Sequence, residues 1–152
     1  MNDITEVRHL SPLVRNSILS QLTLLDKQCF SKKEIHSLDT ITLLSKPNHQ
    51  LLVSFRENDH RLLGYVMFSN RSHQALIVRL AVHPDFRRQG NARALMMAAL
   101  LQLKRCHRVA LQVAQDRTAA IALYESLDFV RIRELPDYYG EGKHAWFMVR
   151  EG

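Results

Sequence analysis

The chain has 152 residues and carries 21 Lys and Arg against 15 Asp and Glu, which gives a formal net charge of +6 at pH 7. A chain of this length buries enough apolar surface to fold without disulfides or a metal ion, so we expect residues 1–152 to form one domain. Because Cys29 and Cys106 lie far apart and no apolar run approaches the roughly 18 residues of a membrane span, the sequence argues against a disulfide scaffold and a membrane protein, and we expect a cytoplasmic protein.

The first third of the chain predicts a strand, two helices and a β-hairpin. Alternating apolar and polar residues predict a strand at Ile4–Arg8. Ser11 followed by Pro12 is typical of a helix start, and this helix is predicted to run to about Phe30. The segment Ser31–Glu34 repeats the capping-box pattern and predicts a second helix. Two further apolar runs joined by a polar turn predict an antiparallel hairpin, Gln50–Arg56 and Leu62–Ser69.

The middle of the chain predicts a buried strand, a basic loop and a helix. Branched aliphatic residues favour a strand at Ala75–Val82, and Pro84 ends it. Apolar residues at helical spacing predict a helix at Ala92–Leu103. The loop between them contains arginines and Gly90, and a helix amino terminus with free N–H groups can bind phosphate. The same residues also fit an ordinary basic surface turn. The positive net charge predicts an anionic partner, whether a phosphorylated cofactor, an acidic protein surface or nucleic acid.

The last third predicts a strand, a short helix and two closing strands. Arg108–Val113 alternates like a strand, and Asp116 is the predicted cap of a helix that runs to Leu127. Two strands follow, separated by a polar and aromatic loop at 136–142: Phe129–Arg133 and Ala145–Val149. Because hairpins come first and helices alternate with strands later, we expect a mixed sheet with one parallel pair linked by the central helix.

Two segments resemble the signatures of the GNAT N-acetyltransferase superfamily. Val82–Leu95 resembles its acetyl-CoA motif, and Ala119–Phe129 resembles its second signature. The segment Asp137–Gly140, together with Ala145 and Met148, further resembles the branch that acetylates the amino terminus of a ribosomal protein. The resemblance implies an α/β GNAT fold with a mixed sheet of about seven strands and four helices. Asp128 stands where the family usually has glycine, and aspartate tolerates the left-handed conformation better than most residues.

The resemblance also implies acetyl-CoA as the acyl donor. The sheet is expected to splay apart after the strand that contains Leu80, so that the thioester lies between this strand and the strand of Leu111, with the acceptor arriving from the opposite side. Backbone groups of the strand would run beside the pantetheine arm, and amides of the loop would hold the pyrophosphate. Arg117 stands where the family usually has an asparagine that contacts the cofactor. The implied cofactor-binding residues are Leu80, Ala81, Val82, Arg87, Arg88, Gln89, Gly90, Asn91, Ala92, Arg93 and Arg117.

The implied reaction is direct attack of an amine on the thioester in a ternary complex. Tyr124 occupies the general-acid position of the family, although its place on an apolar helix stripe also fits an ordinary core tyrosine. Gln112 stands where the ribosomal-protein branch carries a glutamate base, and an amide cannot accept a proton at working pH. Proton removal would then need a water held by Gln112, another residue such as His144 or Glu141, or an amine that arrives neutral.

The acceptor is expected to be a protein amino group, and the resemblance places Tyr138 and Tyr139 in its pocket. A small-molecule amine is the nearest alternative. A non-catalytic acyl-CoA sensor and a module that binds RNA or acetylates transfer RNA are further alternatives. Because the histidines and cysteines show no HxxxH or CxxC spacing, we expect no metal site.

Overall fold

The chain is built around a mixed sheet with helices on both faces. The structure is a computed structural model that describes residues 2–31, 39–71 and 73–152. Its strands are β1 (Asn2–Glu6), β2 (His49–Arg56), β3 (Leu62–Arg71), β4 (Gln74–Val82), β5 (Arg108–Ala114), β6 (Val130–Leu135) and β7 (Ala145–Glu151). The α-helices of the described residues are α1 (Pro12–Cys29), α2 (Thr40–Leu44), α3 (Asn91–Gln102) and α4 (Thr118–Ser126). None of these helices is long and apolar enough to cross a membrane.

The seven strands lie in the order β1-β2-β3-β4-β5-β7-β6. All neighbours are antiparallel except β4 and β5, which are parallel and connected through α3. A parallel pair needs a long crossover, and helix α3 supplies it. The predicted mixed sheet, with its antiparallel start and one parallel pair, is therefore confirmed.

The parallel pair is short, and the sheet opens where it ends. Strand β4 pairs with β5 only from Gln74 to Ile77, and the last matched partners are Ile77 and Leu111. On its other side β4 pairs with β3, where Arg79 is opposite Met67 and Ile77 is opposite Phe68. Val78 is therefore an extra residue in β4. A bulge of this kind bends a strand and increases its twist, and β4 diverges from β5 beyond it. The predicted splaying of the sheet is confirmed.

Two separate apolar cores lie on the two faces of the sheet. On one face, which we call the α1 face, helices α1 and α2 cover β2, β3 and β4. On the other, the α3 face, helices α3 and α4 pack on the sheet. The α1-face core includes Ile18, Leu22, Leu25, Leu51 and Tyr65. The α3-face core includes Leu95, Met96, Leu111, Val113 and Tyr124.

Several predicted boundaries shift for local reasons. Strand β1 ends at Glu6, because the Glu6 carboxylate accepts a hydrogen bond from the Arg8 amide and starts a 3₁₀ turn. Asp116 was the predicted cap of α4, but Arg117 occupies that position. After α4, Asp128 adopts φ 73°, and the following residue donates its amide to a carbonyl in the last turn, so β6 begins only at Val130. Residues 32–34 of the second predicted helix lie outside the described residues.

Gly64 provides a test of the packing between β3 and β4. A Cβ atom at Gly64 would lie 2.6 Å from the Ala81 carbonyl oxygen and 3.2 Å from the Val82 Cα. Both are backbone atoms of the strand that borders the opening, so they can yield only if the strand moves. We expect Gly64→Ala to lower the free energy of unfolding by about 2 kcal/mol in urea titration, in the range typical of overpacking. An Asn58→Ala control in the exposed β2–β3 turn is expected to unfold like the parent, and equal midpoints for all three proteins would contradict this packing.

Candidate functional site

A cavity of about 740 Å³ occupies the opening between β4 and β5. Its walls are the second half of β4, the end of β5, the loop after β4 and the first turns of α3 and α4. The last residues of α1 and Tyr139 of the β6–β7 loop complete it. The site is therefore assembled from both faces of the sheet.

One wall is the edge of β4. Leu80, Ala81 and Val82 line the cavity and lie beyond the last residue that pairs with β5. A strand edge of this kind can hydrogen-bond an extended chain that carries amide groups. The Val82 carbonyl is already engaged, because it accepts hydrogen bonds from Arg87 Nε at 3.2 Å and from the Cys29 thiol at 3.8 Å.

The loop after β4 forms an anion site at the start of α3. Arg88 and Gly90 both have positive φ, 62° and 82°, and Gly90 is the residue that precedes the first turn of α3. The buried Asn91 side chain donates to the Phe86 carbonyl at 2.9 Å and holds the loop closed. The first amides of a helix point out of its amino end, where the helix dipole is positive. These groups, together with the Arg88 and Arg93 side chains that line the cavity, can bind a phosphate.

The space above Gly90 is open, since a Cβ there would meet nothing within 4 Å. Glycine is thus required at this position by its backbone conformation, and a side chain would project into the anion site. Of the loop residues 87–93 that were predicted to bind the cofactor, all line the cavity except Gln89.

Arg117 connects the two halves of the cavity wall. Its Nη2 donates to the Cys29 carbonyl at 2.7 Å, and its guanidinium lies 5.2 Å from the centre of the Phe30 ring. From the other side, Arg87 Nη2 lies 3.5 Å from the Cys29 sulfur. The end of α1 is therefore fixed to the start of α4 and to the anion loop. The predicted contact of Arg117 with a cofactor stays a prediction.

Tyr124 and Gln112 approach the cavity from opposite faces of the sheet. Tyr124 is buried in the α3-face core, and burial raises the pKa of its hydroxyl above the ordinary value, with a further contribution from Tyr139. Its hydroxyl therefore stays protonated at any working pH. Gln112 lies between two residues of the α3-face core, so strand alternation directs its side chain to the α1 face. Both line the cavity.

The β6–β7 loop contributes only part of what the sequence predicts. Tyr139 lines the cavity, whereas Tyr138 is 38% exposed. The Tyr138 ring packs edge-on against the Tyr139 ring, with 4.9 Å between the ring centres. The two alternative bases, Glu141 and His144, do not line the cavity. His144 Nδ1 instead accepts a hydrogen bond from the Asp137 amide at 3.0 Å within the loop.

The sequence profile of the acetyltransferase (GNAT) family matches residues 18–129, which is most of the chain. The chain belongs to the GNAT acetyltransferase family. The predicted GNAT fold of about seven strands and four helices is thus confirmed, with the helices counted over the described residues.

Three similar proteins show how far the likeness extends. The N-alpha-acetyltransferase of Saccharolobus solfataricus is 33% identical over 107 residues, which cover 60% of this chain and 64% of that protein. The crystal structure of the ribosomal-protein-S18-alanine N-acetyltransferase from Escherichia coli has a TM-score of 0.77 at 22% identity, covering 99% of this chain and 94% of that one. Arabidopsis thaliana NAA60 in complex with acetyl-CoA has a TM-score of 0.78 at 18% identity, covering 99% and 98%. The sequence match spans just under two thirds of the first protein, and the two structures show the shared fold.

The GNAT signatures do not include a polar network that the structure places beside the cavity. Arg79, which lines the cavity, donates from Nη1 to the Thr40 hydroxyl at 3.0 Å. The buried Thr40 donates to Asp26 at 2.7 Å, and the buried Tyr65 hydroxyl donates to the same carboxylate. Burial raises the pKa of Asp26 and, more strongly, that of Tyr65. The signal in the sequence was an arginine within an otherwise apolar strand.

No group of three or more His, Cys, Asp or Glu side chains within the described ranges is arranged to hold a metal ion. The cavity wall presents an anion loop, an open strand edge, a protonated phenol and an amide.

Gly90 tests the anion site of this GNAT domain. We expect Gly90→Glu to weaken acetyl-CoA binding at least about 100-fold in calorimetric titration, because a carboxylate would occupy the phosphate position and repel the ligand. Gly142→Glu is the matched control, since Gly142 also has positive φ (72°) and open space around it but lies in the β6–β7 loop. It carries the same added charge and a similar backbone strain. Unimpaired acetyl-CoA binding by folded Gly90→Glu would show that the loop is not the phosphate site.

Proposed function

We propose that the protein is an acetyl-CoA-dependent N-acetyltransferase that transfers the acetyl group to a protein amino group. The observation that carries the proposal is one continuous cavity that joins the anion loop of α3 to Tyr124 and Gln112. A second support is the family membership of the chain. The names of the archaeal and ribosomal-protein relatives favour a protein amine as acceptor.

In this proposal the donor binds along the slot. Amides from Arg88 to Arg93 hold the pyrophosphate, and the open edge of β4 from Leu80 to Val82 pairs with the amide-bearing pantetheine arm. Arg87 and Arg117 lie where they can add charge at the phosphate end. The thioester then lies in the gap just past the Ile77 and Leu111 pair, where the two strands separate.

The proposed reaction is a direct transfer in a ternary complex. The nitrogen lone pair of the amine attacks the thioester carbonyl carbon, and backbone amides of β4 donate to the oxygen that becomes negative. As the C–S bond breaks, Tyr124 gives its proton to the departing sulfur, the nitrogen loses a proton to solvent, and Tyr124 regains a proton from solvent. The products are an N-acetyl amide and free CoA. Burial raises the pKa of Tyr124, so the hydroxyl carries its proton before the transfer.

The cavity lining offers no ordinary base beside Gln112 within the described part of the chain. Among the described residues that line the cavity there is no histidine and no glutamate, and the only carboxylate is the exposed Asp116 at the start of α4. We therefore propose that the amine arrives neutral. Such a mechanism favours acceptors of low pKa, and a protein α-amine, with a pKa near 8, meets this requirement better than a lysine side chain, with a pKa near 10.4.

An amine that arrives neutral makes the rate depend on pH in a way that can be measured. We expect kcat/KM for a peptide α-amine to rise about tenfold per pH unit below pH 8 and to level off at the pKa of the peptide itself. In Gln112→Glu, the new carboxylate is expected to raise kcat/KM several-fold at pH 6.5. Peptides whose α-amines differ in pKa provide the control, because the plateau should move with the peptide. If kcat/KM levels off at the same pH for all peptides, the group that titrates belongs to the protein and acts as a base.

Tyr124 can be tested separately. We expect Tyr124→Phe to lower kcat by about 100-fold or more, because the leaving thiolate loses its proton donor, while the acetyl-CoA dissociation constant changes little. Thiol release measures the first quantity and calorimetry the second. An unchanged kcat would leave Tyr124 as a core residue only.

The proposed function as a whole is tested by titrating the protein with acetyl-CoA, with CoA and a nucleoside triphosphate as controls, and by screening thiol release over peptides and small amines. Binding of both CoA forms and turnover with peptides would support it. Turnover with small amines alone would favour the second candidate, a small-molecule acetyltransferase, which the missing carboxylate at Gln112 also suits. Binding without any turnover would favour an acyl-CoA sensor, and no binding would direct attention to RNA.

A further inference from the structure

Three turns meet at the end of the sheet that lies opposite the cavity. They are the α2–β2 turn, the β3–β4 turn and the α3–β5 loop. Strand β4 begins beside them at Gln74 and ends in the cavity wall at Val82, so this end is about 26 Å from the cavity at the usual rise of a strand. We call it the basic end and define it by six exposed side chains: Lys46, Arg71, His73, Lys104, Arg105 and His107.

The basic end holds a large share of the positive charge of the chain. Lys46 belongs to the first turn, Arg71 lies at the start of the second, and Lys104 and Arg105 belong to the third. Together they supply four positive charges in a chain whose formal net charge is +6. The negative end of the α3 dipole favours Lys104 and Arg105, which follow this helix. Arg71 ends a strand, so helix capping does not explain the whole cluster.

Acidic side chains at this end of the molecule lie outside the three turns. The Glu6 carboxylate is paired with Arg8 at 3.0 Å. Glu151 on β7 lies 3.4 Å from Arg108. Asp128 lies beyond β7, in the turn before β6. Within the described part of the chain, the four Lys and Arg side chains of the basic end form no ion pair, and charge concentrated in this way attracts a polyanion.

Hydrogen bonds join the three turns into one connected surface. The Asn70 amide donates to the Asn48 carbonyl at 3.0 Å, which connects the first turn to the second. The His107 amide donates to the His73 carbonyl at 2.8 Å, which connects the second turn to the third. The buried Cys106 thiol also donates to the Asn70 side chain at 3.4 Å. Because the backbone of these turns is held in place before binding, a ligand that spans them has to order only side chains.

The composition of the basic end distinguishes between classes of anionic partner. Protein interfaces have an apolar or aromatic centre with little lysine, and membrane-surface anchors insert aromatic and long aliphatic side chains. The described residues of these turns expose no Phe, Tyr, Trp or large aliphatic side chain, because Leu103 and Cys106 are buried. They expose Lys, Arg, Asn and the rings of His73 and His107, whose centres are 5.1 Å apart. Such groups contact nucleic-acid phosphates and stack on unpaired bases.

We propose that the basic end binds single-stranded nucleic acid through its phosphates. The surface consists of turns and presents no helix or strand that could enter the groove of a duplex, so a flexible single strand that follows the three turns fits it best. Since the basic end and the cavity are at opposite ends of β4, a bound strand leaves the cavity open. This binding site does not depend on the proposed acetyltransferase function and would add to it.

The test measures the binding of a fluorescently labelled oligouridylate of about 20 nucleotides by anisotropy. If the four Lys and Arg side chains of the basic end each neutralise one phosphate, a plot of log K against log salt concentration is expected to have a slope of about −3. Raising the salt concentration from about 0.05 to 0.2 M should then weaken the binding about 50-fold.

Two double variants with the same net charge locate the site. Arg71→Gln/Lys104→Gln removes one cation from each of two turns. We expect it to lower the affinity at least about tenfold in about 0.05 M salt and to bring the slope to about −1.4, because two phosphate contacts are lost. Lys27→Gln/Lys143→Gln, which removes exposed lysines of α1 and the β6–β7 loop, is the matched control. It is expected to keep the parent slope and to change the affinity less than about twofold.

Circular dichroism and thermal unfolding verify that both double variants are folded. If the oligouridylate does not bind in about 0.05 M salt, or if both double variants lose affinity equally, the proposal is wrong. Displacement of the oligouridylate by saturating CoA would also overturn it, because the strand would then occupy the anion loop. Tighter binding of an oligoglutamate or of phosphatidylserine vesicles would assign the basic end to a protein or a membrane instead.

This test is independent of the acetyltransferase assay. We expect Arg71→Gln/Lys104→Gln to keep the acetyl-CoA affinity and the thiol-release activity of the parent, since neither residue lines the cavity. A failure of the oligouridylate to bind leaves the proposed function standing. Conversely, a protein that binds the oligouridylate at the basic end and does not bind acetyl-CoA would overturn the proposed function and support this second site.

Discussion

The parallel pairing of β4 with β5 stops at Ile77 and Leu111, and the rest of the site depends on this early end. The extra residue Val78 in β4 bends the strand away, which exposes a strand edge inside the protein. An exposed edge inside a sheet would ordinarily leave backbone groups without partners. Here it faces a cavity that a chain-like ligand can fill, so the interruption of the sheet and the capacity to bind such a ligand have the same origin.

The opening divides the chemistry between the two faces. On the α3 face lie the anion loop, the amino terminus of α3 and Tyr124, which together suit the binding of a phosphorylated donor and the protonation of its leaving group. On the α1 face lie Gln112 and Arg79. The end of α1, joined to Arg87 and Arg117 through Cys29, connects the two sides. A displacement of α1 would therefore be felt at both the donor and the acceptor ends.

Much of this arrangement could be read from the sequence. Helical and strand periodicity predicted every strand of the sheet, and the loop with Gly90 was correctly placed between β4 and α3. The bulge at Val78 was not predictable, because it is set by pairing with β3 and leaves no periodic signal. Arg79 was missed for a related reason, since its partner Thr40 lies 39 residues earlier in the chain and meets it only in the fold. Tyr138 and Tyr139 illustrate the same limit, because adjacent loop residues point differently and only Tyr139 reaches the cavity.

Gln112 places an amide in the cavity wall on the α1 face, opposite Tyr124. A glutamate at this position would stabilise an incoming ammonium and would repel an acidic acceptor. With an amide there, position 112 neither stabilises the ammonium form of the amine nor removes its proton. In the proposed enzyme the protonation state of the acceptor is then set by the pKa of the acceptor itself, so an amine of low pKa is the better nucleophile at neutral pH.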